Sequence, residues 1–149
     1  MTPYNPEHYT KQPPKIRRIV IVDDHGLIRQ AMKVLLPSIL QPAMIVAEGA
    51  DGAEAVGLCQ DFAPDLVFID INMPKLNGVQ ATRDILAQFP HIQVVGLTSY
   101  GETEAMVQQL LEAGAIGCIS KQANLSEIAQ RFRQIGLLPA EPRRAPAEA

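Results

Sequence analysis

The sequence predicts a doubly wound α/β domain on a parallel sheet, and two observations carry that expectation. Short, β-branched apolar runs alternate with amphipathic stretches through the middle of the chain. The runs are continuously apolar, the pattern of strands covered on both faces, so the intervening helices pack on either side of the sheet.

The elements follow in order. The first strand falls on "IRRIVIV" (16–22), and Leu27, Ile28, Ala31, Met32 and Leu35 then recur at helical spacing. "AMIVA" (43–47) is the second strand, after which Asp51 supplies an N-cap for "GAEAVGLCQDF". "LVFI" (66–69) is the third; Val79, Thr82, Ile85, Leu86 and Phe89 make the next stripe, with Gly78 opening that helix. "IQVVGL" (92–97) is the fourth, followed by Met106, Val107, Leu110 and Leu111, with Gly114 ending the helix where a left-handed residue is expected. "AIGCI" (115–119) is the fifth, and Leu125, Ile128, Ala129, Phe132 and Ile135 close the pattern.

A chain of 149 residues suits one domain, and 47% hydrophobic with 19% charged residues is the balance of a folded globular protein. A net charge of -3 and a pI near 5.6 give no general field for nucleic acid. The apolar runs fall far short of the ~20 residues that span a bilayer, and the N-terminus lacks a signal-peptide core. The expected compartment is therefore cytoplasmic, with no membrane partner. Cys59 and Cys118 sit inside apolar patterns and read as small buried hydrophobes. Residues 1–15, with Pro3, Pro6, Pro13 and Pro14, are expected to form a flexible arm; 16–138 is the folded domain. Residues 139–149, carrying Pro139, Pro142, Pro146, Arg143 and Arg144, read as a solvated tail or the start of a linker.

In a doubly wound sheet, ligands bind beyond the carboxyl ends of the strands. Those ends carry Asp23 and Asp24 after the first strand, Asp70 after the third, Thr98 after the fourth, and Ser120 with Lys121 after the fifth. If the first and third strands are neighbours, three carboxylates converge, and a pair about 4 Å apart repels by roughly 4 kcal/mol at an effective dielectric of 20. Lys121 and a Mg²⁺ ion together offset that charge. A carboxylate so placed can attack phosphorus and become an aspartyl-phosphate. The ion, Lys121 and the Thr98 hydroxyl would each take one equatorial oxygen, with backbone N–H groups of the Asn72 loop completing the cradle. Asp70 is the best nucleophile, because it ends a fully apolar strand and precedes a turn at Pro74.

In order and spacing, "IVIVDDHGLIRQAMKVLL", "PDLVFIDINMPKLNG", "VVGLTSY" and "EAGAIGCISK" resemble the receiver domains of two-component response regulators over about residues 16–137. The ordered set of Asp pair, Asp-x-x-x-Pro, Thr and Lys carries the likeness; no single motif does. "VDDH", "LTSY" and Gln122 in place of proline after Lys121 lean toward the NarL/LuxR-like branch. The resemblance implies a flavodoxin-like five-stranded sheet in order 2-1-3-4-5 with five helices. It makes Asp70 the phosphoacceptor, with Thr98 and Lys121 reading the phosphoryl group. Asp24, Asp70 and the backbone carbonyl of Asn72 become Mg²⁺ ligands, with Asp23 acting through a water. A histidine kinase or phosphotransfer protein is the implied partner, with a second copy of the chain as another candidate. That branch usually continues into a helix-turn-helix. The chain stops at Ala149, which reads as a stand-alone receiver or a fragment cut at its linker, with DNA contact only through an absent output domain.

Two departures and two rival classes bear on this. Cys118 stands where most receivers carry Tyr or Phe, too small to transmit motion as a ring does, and Tyr100 more often affects access to the phosphoryl group. The Cys118 departure favours a rival reading, a receiver-like interaction module that works without phosphorylation. The other rival, a Mg²⁺-dependent phosphohydrolase, would place a second acid two residues after the nucleophile, where this chain has Asn72. The expectation is thus a signalling module that catalyses only its own phosphorylation and dephosphorylation. A cobalamin-binding module would need glycine where Ile28 stands. His25 reads as a packing or capping residue rather than a proton carrier.

Overall fold

The computed structural model describes residues 15–73, 75–99 and 103–141. Pro3, Pro6, Pro13, Pro14, Pro74, Tyr100, Pro142, Arg143, Arg144 and Pro146 lie outside the described residues. The elements run β1 (Arg17–Val22), α1 (Gly26–Ile39), β2 (Ala43–Gly49), α2 (Gly52–Phe62), β3 (Leu66–Asp70), α3 (Gly78–Gln88), β4 (Gln93–Thr98), α4 (Glu104–Glu112), β5 (Gly117–Ser120) and α5 (Leu125–Gln134). All strand pairs are parallel, in the order β2-β1-β3-β4-β5. The switch of direction at β1 and β3 makes the crevice beyond these two strands the expected ligand site.

Alternation along the buried strands divides the core into two layers. Val20, Val22, Val67, Ile69 and Val94 face α2, α3 and α4 through Ala55, Cys59, Val79, Ile85 and Leu110. Ile19, Ile21, Leu66, Phe68, Val95, Leu97 and Ile119 face α1 and α5 through Met32, Leu36, Ile128 and Phe132. Both faces of the sheet are therefore covered, as continuous apolar strands require.

The expected elements all form, with shifted ends. β2 runs on through Glu48 because Arg29 Nε at 3.1 Å and Lys33 Nζ at 2.6 Å hold that carboxylate. β5 begins two residues after the expected Ala115, because the Ala115 amide still bonds the Leu110 carbonyl at 3.2 Å after the left-handed turn at Gly114 (φ 113°). Asp51, Asn77, Thr103 and Asn124 each accept a backbone N–H in the first turn of α2, α3, α4 and α5. The cap residue of α1, His25, makes no such side-chain bond. Gly78 is required by packing: a Cβ there would run into the Asp70 carbonyl. No helix among the described residues is long and apolar enough to cross a membrane.

Candidate functional site

Register brings the expected residues to one place. Ile69 of β3 pairs with Val22 of β1 and Asp70 with Leu97 of β4, so the residues just past Val22 and the end of β3 share one rim. Asp23 and Asp70 are buried there. Lys121, just past β5, reaches across to both, with Nζ 2.8 Å from Asp23 Oδ2 and 2.9 Å from Asp70 Oδ2. Its position is set by its own amide, which donates to the Thr98 carbonyl at 2.7 Å. The second oxygen of each buried carboxylate accepts a main-chain amide two residues on: His25 N to Asp23 Oδ1 at 2.8 Å, and Asn72 N to Asp70 Oδ1 at 3.1 Å. These turns fix both carboxylates in place.

The electrostatics follow from this crowding. Burial pushes the Asp70 carboxyl up to about 6, with Asp23 adding to the rise, against the hydrogen bonds from Lys121 and Asn72. Burial works to lower Lys121, but its bonds to Asp23 and Asp70 outweigh that and hold its ammonium above the usual lysine range. With Asp24, three carboxylates face one ammonium, which leaves two formal negative charges at neutral pH. Asp23 Oδ2, fully buried, has the Lys121 ammonium at 2.8 Å and no second partner among the described residues, so a buried acceptor has capacity to spare. Hard oxygen donors, two excess charges and an under-used buried oxygen fit a small divalent cation. One oxygen or ring nitrogen from each of Asp23, Asp24, His25 and Asp70 lies within 4.8 Å of the others.

Two residues are placed differently from the rest. The Thr98 hydroxyl donates to the Ile119 carbonyl at 3.3 Å, so it rests against β5. His25, read from sequence as packing or capping, does neither with its ring. Nδ1 lies 3.1 Å from Asp23 Oδ1, 3.1 Å from Asp24 Oδ1 and 3.1 Å from Lys121 Nζ. The cause is local: the turn closed by the His25 amide on Asp23 points the His25 side chain itself into the acidic cluster. The adjacency "DDH" was the only trace of this in the sequence. Cys118 is buried beside Gly96, where an added Cβ would lie 3.1 Å from its sulfur. Burial pushes the Cys59 thiol up to about 11, as an inert core thiol requires.

A parallel sheet of this order with a carboxylate–lysine cluster at its switch point defines a receiver-type signalling domain, and comparison with known proteins agrees. Residues 19–133 match the response regulator receiver domain. The chain belongs to that family. It is similar to the transcriptional regulatory protein DegU of Brevibacillus brevis, 37% identical over 79% of this chain and 49% of that protein. It is also similar to the response regulator GacA of Pseudomonas viridiflava, 35% identical over 79% of this chain and 54% of that protein. The chain thus spans about half the length of the curated relatives it matches. Among solved structures, a LuxR-family response regulator from Aurantimonas matches with a TM-score of 0.72 and 30% identity, covering 81% of this chain and 85% of that one. The signal receiver domain of NarL from Mycobacterium tuberculosis matches with a TM-score of 0.69 and 30% identity, over 81% of this chain and 96% of that one. These relatives support the NarL/LuxR-like branch.

Proposed function

We propose that Asp70 accepts a phosphoryl group from the phosphohistidine of a partner kinase or phosphotransfer protein. The single observation that carries this is the Lys121 ammonium 2.9 Å from the buried Asp70 carboxylate, on the rim where Asp23 and Asp24 supply further anionic oxygens. A carboxylate oxygen of Asp70 attacks phosphorus, the P–N bond of the donor breaks, and the donor nitrogen leaves with the electron pair, producing an acyl phosphate on Asp70. A water attacking the same phosphorus later returns the carboxylate and inorganic phosphate.

Asp24, Asp70 and the Asn72 carbonyl would hold Mg²⁺, with Asp23 contributing through a water; when bound, the ion neutralises charge on the phosphoryl oxygens. Lys121 stays near the new acyl phosphate and pairs with one of its oxygens. Thr98 turns its hydroxyl from the Ile119 carbonyl toward another. That exchange, with Cys118 in place of an aromatic ring, biases the surface of α4, β5 and α5. The domain performs only its own phosphorylation and dephosphorylation, because Asn72 stands where a turnover phosphohydrolase needs an acid. We place it in the cytoplasm, with 1–15 as an arm, 16–138 as the receiver and 139–149 as a tail or linker. DNA contact belongs only to an output domain outside these residues.

Incubation with acetyl phosphate and Mg²⁺, followed by intact-mass spectrometry, tests the reading. One phosphoryl adduct is expected on the native chain and none on Asp70→Asn. An adduct that survives in Asp70→Asn, or its absence from the native chain, refutes Asp70 as the acceptor.

A further inference from the structure

We propose that His25 is a nitrogen ligand of the divalent ion at this pocket, and that it tilts the site's preference from magnesium toward manganese. The inference rests on the metal reading above and deepens it. Nδ1 sits 3.1 Å from Asp23 Oδ1, 3.1 Å from Asp24 Oδ1 and 3.8 Å from Asp70 Oδ2. Neighbouring ligands of an octahedral ion with bonds of about 2.1 Å are about 3.0 Å apart. The ring nitrogen and the Asp24 oxygen are therefore already spaced as adjacent vertices around one centre, with Asp23, which acts through a water, beside them.

Hydrogen bonding accounts for this arrangement less well. Nδ1 carries either one proton or one lone pair, so it can satisfy only one neighbour. As a donor it would serve one carboxylate and oppose the Lys121 ammonium at 3.1 Å; as an acceptor it would serve the ammonium and face two carboxylate oxygens. A divalent ion on the Asp24 side, away from the Lys121 ammonium, would take the ring lone pair and the Asp24 oxygen together. The ring does not cap α1, and its side chain is 60% exposed, which leaves a path for an ion. Imidazole nitrogen is a softer donor than carboxylate oxygen and favours first-row transition ions over magnesium.

The test is calorimetric titration of the whole chain with MgCl₂ and with MnCl₂, for the native protein, His25→Ala and Asp24→Asn, together with electron spin echo modulation on the Mn²⁺ complex. Manganese binds most oxygen sites more tightly than magnesium, so the change in the ratio is what counts. In His25→Ala, Mn²⁺ affinity should fall about tenfold while Mg²⁺ affinity falls less. The native Mn²⁺ complex should show ¹⁴N modulation from a coordinated imidazole, a readout that does not depend on any variant folding. Manganese bound without nitrogen modulation overturns the proposal, as does His25→Ala binding both ions as tightly as the native chain or more so. If the native chain binds neither ion, the metal reading itself fails; if it binds and only the His25 effects are missing, that reading stands and this one falls.

Discussion

Strand β3 has an aspartate at each end, and the two have opposite fates. Asp65, just before the strand, accepts the Arg18 amide at 2.9 Å and pairs with Lys15 at 3.3 Å, a lysine 83% exposed. Asp70, at the other end, pairs with Lys121 at 2.9 Å, where the two side chains are 1% and 3% exposed. The amino end of the sheet is stitched by ordinary solvated contacts, including the Arg18 guanidinium on the Phe62 carbonyl at 2.6 Å. The carboxyl end concentrates like charges in a place that water cannot screen. One pair of residue types makes a tether at one end and a strained charge cluster at the other, and burial, with Asp23 close by, separates them.

If that contrast is right, removing the buried lysine has the largest effect. Lys121→Met leaves Asp23 and Asp70 facing each other without their shared counter-ion and should cost about 3–5 kcal/mol in metal-free denaturant unfolding. A loss under about 1 kcal/mol, the range of an exposed pair, would erase the distinction between the two ends.

Removing the buried charge should do the reverse. Burial pushes the Asp70 carboxyl in the folded state up to about 6 from its ordinary 3.8, so ionising it disfavours the fold. The native state then binds the proton more tightly than the unfolded chain between these values, and stability from this group falls as pH rises through that window. Asp70→Asn abolishes the penalty and should stabilise the metal-free chain at pH 7. The gain should be about 1–2 kcal/mol, less than two pH units would imply because Lys121 loses a partner. It should shrink toward zero as pH drops from about 6 to 4. A gain independent of pH would mean that Asp70 is not strained by its charge.

How much of this contrast is legible in the sequence depends on which link is asked about. Asp23, Asp70 and Lys121 were readable because an apolar strand that stops at a polar residue marks the carboxyl rim. The sheet's order brings those rims together. The direction of the His25 ring was not readable, because it follows from a turn closed by a side chain two residues earlier, a contact without periodicity. The Thr98 hydroxyl is similar: its bond to the Ile119 carbonyl depends on the pairing of β4 with β5. Glu48 in β2 shows tertiary contacts overriding propensity, since Arg29 and Lys33 on α1 hold in a strand a residue that strands disfavour.

At the amino end the effects should be small and graded. Asp65→Ala removes an acceptor from the Arg18 amide, which can still find water, and should cost about 1 kcal/mol by thermal or denaturant unfolding.

Lys15→Met should barely register, at about 0.5 kcal/mol or less, because its Nζ is largely solvated and the 3.3 Å contact to Asp65 competes with water. This smallest effect is the most exacting test of the contrast. Lys15 and Lys121 face the same kind of carboxylate at opposite ends of β3 at similar distances, so Coulomb attraction in a uniform medium would make them nearly equivalent. Unfolding Lys15→Met and Lys121→Met side by side at low and high salt separates the two views. The Lys15 difference should vanish into screening within a Debye length of about 10 Å at 0.1 M salt, and the Lys121 difference should persist. Equal, salt-sensitive losses at both positions would mean that the carboxyl rim is as wet as the amino end, and that burial does not set Asp70 apart.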